Sequence, residues 1–242
     1  MSNVNPFLLL WFEAPLQSWG FDSKFGRRDT LPFPTKSGIL GLICAALGAS
    51  GEQSVLLAEF APLNQTVISF SRITNGHKID REPFLRDFHM VGAGYDLNDP
   101  WQQLLEPHLN DGKPRKSDGG GAKMTYRYYL QDAAFAVVVE VPDDKENDIA
   151  DALQNPTWDI YLGRKNCVPT DFIYRGKFVN EVEAIEQAQI IAKEKNRVED
   201  FRVLHGAISE GEADETFTLN DVPVQFGENK RYRDRQVSLI YA

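Results

Sequence analysis

The sequence predicts an α+β fold, and three observations carry that expectation. Residues 7–12 (FLLLWF), 66–73 (TVISFSRI) and 133–142 (AAFAVVVEVP) are short apolar runs rich in branched and aromatic side chains, as buried strands are. Two segments, PTKSGILGLICAALG and DDKENDIADALQ, have helical character and each follows a strand. Up to about residue 166 the order is strand, helix, strand, insertion, strand, helix, strand, which is the ferredoxin-like or RRM-like order.

The first strand is bounded by Pro15, and the next segment, LQSWGFDSKFGRRDTLPFP, reads as a loop with Trp19, Phe21, Phe25 and Phe33 interspersed. In the following helix Ser37 is the expected N-cap and Ile39, Leu42, Ile43, Ala46 and Leu47 recur at helical spacing. Gly48 ends it. Residues 84–91 (FLRDFHMV) and 124–130 (MTYRYYL) alternate as strands do. The polar, glycine-rich segment between them spans more than 30 residues, too long for an ordinary connection. It reads as an insertion over about 86–127, a β-hairpin thumb with a mobile tip at 112–122. DDKENDIADALQ places acids at the positive end of its helix, and YLGRKNCVP follows a short strand ending at Leu162. Beyond it come TDFIYRGKF, a helix EVEAIEQAQIIAKEKN, and strand-like pieces such as TFTL and RQVSLIYA.

With 242 residues and 42% hydrophobic content, the chain is ordinary for a soluble globular protein. It holds no run of about 18 apolar residues. The start, MSNVNPFLLLWFEAP, lacks a basic leader and is interrupted by Glu13, so it reads as a strand and not as a signal peptide. Cys44 and Cys167 have no metal-ligand spacing, which makes a cytoplasmic protein with reduced thiols the default. Apolar and aromatic residues within 11–33, taken as exposed, suggest a chain that needs partners.

The net charge of −9 argues against loose, non-specific nucleic-acid binding. Its distribution leaves local binding open. Residues 140–159 hold seven acids and one base, and 181–221 hold eleven acids and four bases. By contrast, 161–177 carry Arg164, Lys165, Arg175 and Lys177 against Asp171, and 227–236 carry Lys230, Arg231, Arg233 and Arg235 against Glu228 and Asp234. A phosphate responds to the potential within a Debye length of about 8–10 Å, not to the sum over the chain.

Three constellations stand out, each with a plainer alternative. At Thr35-Lys36-Ser37-Gly38 a helix N-terminus, a cation and a glycine suit a phosphate, or are simply a capped helix start. Gly163-Arg164-Lys165-Asn166-Cys167 can wrap a nucleic-acid backbone, or is a solvated basic turn. On Tyr126-Arg127-Tyr128-Tyr129, Arg127 and Tyr129 share one face and Tyr126 and Tyr128 the other, so one pair can stack or clamp nucleotides while the other packs inward. His77, His89, His108 and His205 show no zinc spacing, and no GxSxG or paired-carboxylate pattern occurs. His89, beside Asp87 and Arg86, is the one candidate general base, or a packing residue.

EAPLQSWGF with PFPTKSGILGLICAALG, then LRDFHMV, TYRYYLQDAAFAV and YLGRKNCVPT, in that order, resemble the CasD-type subunits of type I-E CRISPR Cascade, the fifth Cas protein family of the RAMP superfamily. The resemblance covers about the first 180 residues. The acidic stretch 181–221 matches poorly, and FGENKRYRDRQV near the end is similar again. The thumb is longer than the family pattern and carries GKPRKSDGGG at its tip. The resemblance implies an RRM-like domain over 1–165 with the thumb inserted, and a small C-terminal subdomain over 166–242. It implies a non-catalytic subunit without cofactor or metal, capping the complex backbone and binding the 5′ handle of the crRNA. Its partners would be the large subunit and the adjacent backbone subunit, with target DNA nearby and no membrane. Gln17, Ser18, Lys36, Ser37, Arg164, Lys165, Asn166 and Cys167 would face the handle, and Arg86, His89 and Arg127 would sit at the thumb base. The alternative is a metal-independent endoribonuclease that processes precursor crRNA, as some relatives in another subtype are.

Overall fold

The computed structural model describes residues 5–21, 23, 26–91, 123–206, 208 and 211–242. The α+β expectation holds: the described residues form four α-helices and two sheets.

The first strand, β1 (Phe7–Glu13), runs through the middle of the molecule between β8 (Ala134–Glu140) and β9 (Tyr174–Phe178), antiparallel to both. On the far side of β8 lie β4 (Gln65–Thr74), β10 (Arg197–His205), β12 (Arg231–Tyr241) and β11 (Glu215–Gln225). The sheet order is therefore β11-β12-β10-β4-β8-β1-β9, with β5 (His77–Lys78) extending the end of β4. Helices α1 (Lys36–Leu47) and α2 (Ser54–Phe60) connect β1 to β4, and α3 (Glu146–Gln154) connects β8 to β9. Helix α4 (Glu181–Glu194) follows β9.

The continuous apolar runs arise because the sheet is buried on both faces. Leu8, Leu10, Phe12, Phe135, Val137 and Val139 pack with Ile39, Ile43, Leu57, Phe60, Ile149 and Leu153 of the first three helices. The alternate residues Leu9, Trp11, Ile68, Ala134, Ala136 and Val138 pack under Ala184, Ala188, Ile191 and Ala192 of α4. Alanines on both sides of that second contact let the helix lie close to the strands. Asn180 caps α4, its Oδ1 accepting from the Glu183 backbone N–H at 2.9 Å. Past the other end, Arg197 and Lys195 reach Glu13 at 2.6 and 2.9 Å, where Trp11 Nε1 also donates at 2.9 Å. Burial alone would raise the Glu13 carboxyl, but these three donors hold it below its ordinary value.

A smaller sheet stands beside the main one. Its centre is β7 (Lys123–Gln131), which pairs antiparallel with β6 (Leu85–Val91) and β2 (Leu16–Gln17), and parallel with β3 (Arg27–Arg28). β6 and β7 are the strands expected at 84–91 and 124–130, paired antiparallel. The expected tip at 112–122 lies outside the described residues, as does Phe25.

Several expectations are corrected. Thr35, not Ser37, caps α1: its Oγ1 accepts from the Gly38 N–H at 3.1 Å. No strand precedes the Gly163 loop; residues 155–173 are irregular, and the strand that pairs with β1 is β9. Beyond residue 166, β9 to β12 continue the sheet of β1, β4 and β8. Of the aromatics in 11–33, Trp11, Phe12, Trp19 and Phe33 are core, and Phe21 is exposed.

One buried charge cluster joins α1 to the C-terminal strands. A bulge in β11 between Leu219 and Val222 interrupts its pairing with β12. In that bulge the Asp221 carboxylate accepts from the Lys36 backbone N–H at 2.7 Å and from Arg235 Nε and Nη2 at 2.7 and 3.0 Å. The anion at this helix N-terminus is thus the protein's own. Exposed pairs such as Arg27–Asp29 contribute about 0–1 kcal/mol. Breaking a buried pair costs about 3–5 kcal/mol, because the remaining charge stays buried. Asp221→Ala should therefore lower the urea-unfolding free energy by about 3–5 kcal/mol; a loss within 1 kcal/mol would show that the cluster does not hold the strands to α1. Next to it, Arg235 Nη1 meets His205 Nδ1 at 3.4 Å. Burial, then the Lys36 and Arg235 cations, bring the His205 imidazole down to about 4. The unfolded chain takes up that proton first, so stability falls as pH drops from about 6.5 towards 4. His205→Gln should flatten this limb, read as a smaller shift in urea midpoint between pH 6.5 and 4.5.

Candidate nucleic-acid interface

Strand β7 sets the geometry of the site. Its register with β6 places Arg86 opposite Tyr128, Phe88 opposite Tyr126 and Met90 opposite Met124, all on one face. The other face carries Asp87 opposite Arg127, His89 opposite Thr125 and Leu85 opposite Tyr129. Phe88 is 50% exposed and Tyr126 44%, whereas Tyr129 is buried at the hairpin's root. The alternation expected for Tyr126 to Tyr129 is observed, with Tyr129 buried and Arg127 and Tyr128 half-buried. The imidazole of His89 is held by the Asp87 carboxylate through Nε2.

Arg27 and Arg28 of β3 lie beside Tyr126 and Arg127. The guanidinium of Arg27 sits 5.0 Å over the Tyr128 ring and that of Arg86 5.5 Å over Tyr126.

The glycine-led loop docks on the same strand. Leu162 N–H donates to Cys167 O, and Cys167 N–H to Arg164 O, each at 2.8 Å, which closes a tight loop. Leu162 and Cys167 are its buried anchors; Lys165 and Asn166 are exposed at its tip. Gly163 has φ +99°, and a Cβ there would stand 1.7 Å from the Ser18 carbonyl oxygen, so only glycine permits this approach. Arg164 turns back towards the hairpin. It donates to Tyr128 O at 3.3 Å and Arg28 O at 2.9 Å, with its guanidinium 4.7 Å over the Tyr129 ring. One side chain thereby pins the loop, β3 and β7 together.

The expected site residues thus separate into two groups. Arg86, His89, Arg127, Arg164, Lys165 and Asn166 come together around β7, although Arg164 serves largely as a tie. Ser18 lies directly beneath, its N–H on Leu162 O and its Oγ on Tyr128 O. Gln17 is fully buried: it donates to Phe12 O and Ala133 O at 3.2 and 2.8 Å and accepts from Trp19 Nε1 at 3.1 Å. Its side chain holds the turn between β1 and β2 and offers no surface. Lys36, 2% exposed, donates to Ala61 O and Leu63 O at 3.1 and 2.7 Å. Burial, reinforced by Arg235 against the pull of Asp221, brings its ammonium down to about 8. A lysine so placed supports the end of α2 and cannot reach a phosphate, and Asp221 already occupies the backbone N–H beside it. Ser37 is half-buried, its Oγ 3.3 Å from Thr35 Oγ1. Cys167 is an anchor whose thiol is pushed up by burial, against the opposing pull of Arg164.

Sequence reasoning missed Arg27, Arg28 and Phe88. The signal for Phe88 was present, since LRDFHMV alternates and puts it on the face of Arg86. For the arginine pair only the adjacent bases in GRRD were visible; the parallel pairing with β7 joins segments 99 residues apart.

A family model described as CRISPR-associated protein (Cas_Cas5) matches residues 7–238. The CRISPR system Cascade subunit CasD of Escherichia coli (strain K12) is 28% identical over 177 residues, 72% of this chain and 71% of the relative. Among solved structures, a chain of a CRISPR RNA-guided surveillance complex superposes with a TM-score of 0.67 at 28% identity, covering 98% of this chain and 90% of that one. A second, described as the crystal structure of a Cas protein, gives 0.59 at 27% identity, with 98% and 94% covered. With the family model spanning nearly the whole chain, the protein belongs to the CRISPR-associated Cas5 family.

Proposed function

We propose that the chain is a subunit of a CRISPR Cascade-type surveillance complex and that it grips the 5′ handle of the crRNA without cutting it. One observation carries this reading. In a chain of net charge −9, Arg27, Arg28, Arg86, Arg127, Arg164 and Lys165 converge on one strand and the loop docked against it. Such a local cationic surface suits a phosphate backbone, while the acidic remainder discourages indiscriminate binding. Lys165, Asn166 and the face of Arg28 and Arg127 meet the handle, with Ser18 supporting the loop from below. The strand order β9-β1-β8-β4, with helices after β1 and β8, is that of an RRM-like unit, and β6–β7 is its thumb. In an RRM the sheet face stacks bases; here α4 covers one face and α1 to α3 the other, so binding moves to the hairpin and loop.

The chain caps the backbone of the complex and meets the adjacent backbone subunit and the large subunit, with target DNA nearby. Phe172, 82% exposed, and Val179, Val182 and Val168 supply apolar surface that partner subunits would cover. A second reading, the metal-independent endoribonuclease, is favoured by one feature: the His89 imidazole, oriented by Asp87 on the hairpin face that also carries Arg127.

Fluorescence anisotropy with labelled crRNA, with and without its 5′ handle, tests the reading. Arg127→Ala and Lys165→Ala should each weaken binding and lower the salt slope by about one unit, and removing the handle should abolish the difference. An unchanged slope in both variants rejects the phosphate contacts. On gels, without metal, the RNA should stay intact; cleavage within the repeat that His89→Ala abolishes would establish the second reading instead.

A further inference from the structure

The hairpin face opposite Arg127 and His89 carries, besides the Arg27 and Arg86 cations counted above, exposed aromatic and thioether side chains, with Met90 and Met124 60% and 58% exposed beside Phe88 and Tyr126. Phe88 and Tyr126, half-exposed, face each other across the strands with ring centroids 5.3 Å apart and planes tilted by 43°. The guanidinium of Arg86 lies over Tyr126 at 5.5 Å, and that of Arg27 over Tyr128 at 5.0 Å. A guanidinium laid on a ring turns its own planar outer face to solvent. The result is a strip of phenyl, phenol and guanidinium groups in which Arg86 is a cation over its ring and Arg27 is paired with Asp29 at 2.7 Å.

We propose that this face is a stacking platform for unpaired bases of the bound nucleic acid, distinct from the phosphate-binding face on the other side of the hairpin. The proposal rests on the reading that the chain binds RNA. Exposed bases stack on aromatic rings and on arginine planes alike, and the charges that accompany these rings match the phosphates that accompany every base. An apolar protein surface fits less well, because docking it would bury the Arg27 and Arg86 guanidiniums away from water. A strand of RNA crossing the hairpin would place its backbone against Arg28, Arg127 and Lys165 and turn bases onto Phe88 and Arg86. The platform is tolerant of sequence, since every base has a π-face.

The test uses the full chain and the same crRNA with 2-aminopurine placed in turn along its 5′ handle. Binding of the wild-type chain should quench at least one position, as stacking does. Phe88→Ala and Phe88→Leu should both remove that quench and weaken binding about tenfold, an effect in the range of one stacked base, while leaving the salt slope unchanged. Arg86→Gln should weaken binding and lower the slope. The exposure of Phe88 makes loss of fold an unexpected result, and the leucine variant preserves apolar surface if alanine does not fold. Wild-type affinity and quench in Phe88→Leu would overturn the platform, most directly if that variant also bound RNA normally but failed to assemble with partner subunits. If Arg127→Ala lowers the slope while both Phe88 variants bind as wild type, the platform alone falls; if the wild-type chain does not bind the RNA, the functional reading falls with it.

Discussion

Helix α4 lies across one face of the central sheet, and the Glu13 carboxylate at the end of β1 accepts from Arg197, Lys195 and Trp11 where the chain leaves the helix for β10. Lys195 also meets Asp171 at 2.6 Å, so the loop before β9 joins the same cluster. This ionic clasp closes the second face over Trp11, Phe70 and Ile68. With α1 to α3 on the first face, the strands that define the fold have no surface left for a ligand. A sheet open on one side can present aromatic rings to RNA; a sheet closed on both sides cannot. Among the described residues, contacts with another molecule are therefore left to sheet edges, loops, outer helix faces such as that of Val182 on α4, and the small second sheet.

The second sheet meets that requirement because it is joined to the core at one end only. Its root is fixed: Tyr129 and Leu130 are buried, Gln17 ties β1 to the strand beside it, and Arg164 bonds the backbones of both β3 and β7. Away from the root, both hairpin faces are exposed to some degree, and they differ chemically. Cations tied to backbone carbonyls make the root rigid, while cations beyond it remain available to a polyanion. A rigid root beneath exposed side chains holds those side chains in place for whatever meets them.

Those parts of the fold that follow local rules were legible in the sequence. The runs that became β1, β4 and β8 announced burial on both sides, and α1, α3 and α4 announced their spacing. Strand β10 was missed because Arg197, Glu199 and Arg202 read as part of an acidic, solvated stretch. In the folded chain Arg197 is 5% exposed and paired with Glu13, 184 residues away, a partner no local pattern reveals. The same long-range logic explains the site. Thr35-Lys36-Ser37 has the local form of an anion-binding helix start, and the position does bind an anion. It binds Asp221, which arrives through a bulge 185 residues later in the chain. Gly163 was legible as a special position, but its reason, the Ser18 carbonyl, was not.

Charge in this protein is accordingly best read residue by residue. Lys36, Arg197 and Arg235 are cations that the fold consumes; each is buried with its own carboxylate or carbonyl partners, and each would contribute nothing to an approaching phosphate. Arg86 and Lys165 are exposed near the hairpin, where no helix or sheet covers them. Subtracting the buried cations makes the rest of the surface more acidic than the net charge of −9 suggests, and the cluster around β7 stands out more sharply against it. Within about 8 Å of screening, the hairpin region gathers Arg27, Arg28, Arg86, Arg127 and Lys165, while Arg164 is taken up by the Tyr128 and Arg28 carbonyls. The acidic total and the cationic cluster are compatible because potential is set by the charges within a screening length, not by the sum over the chain.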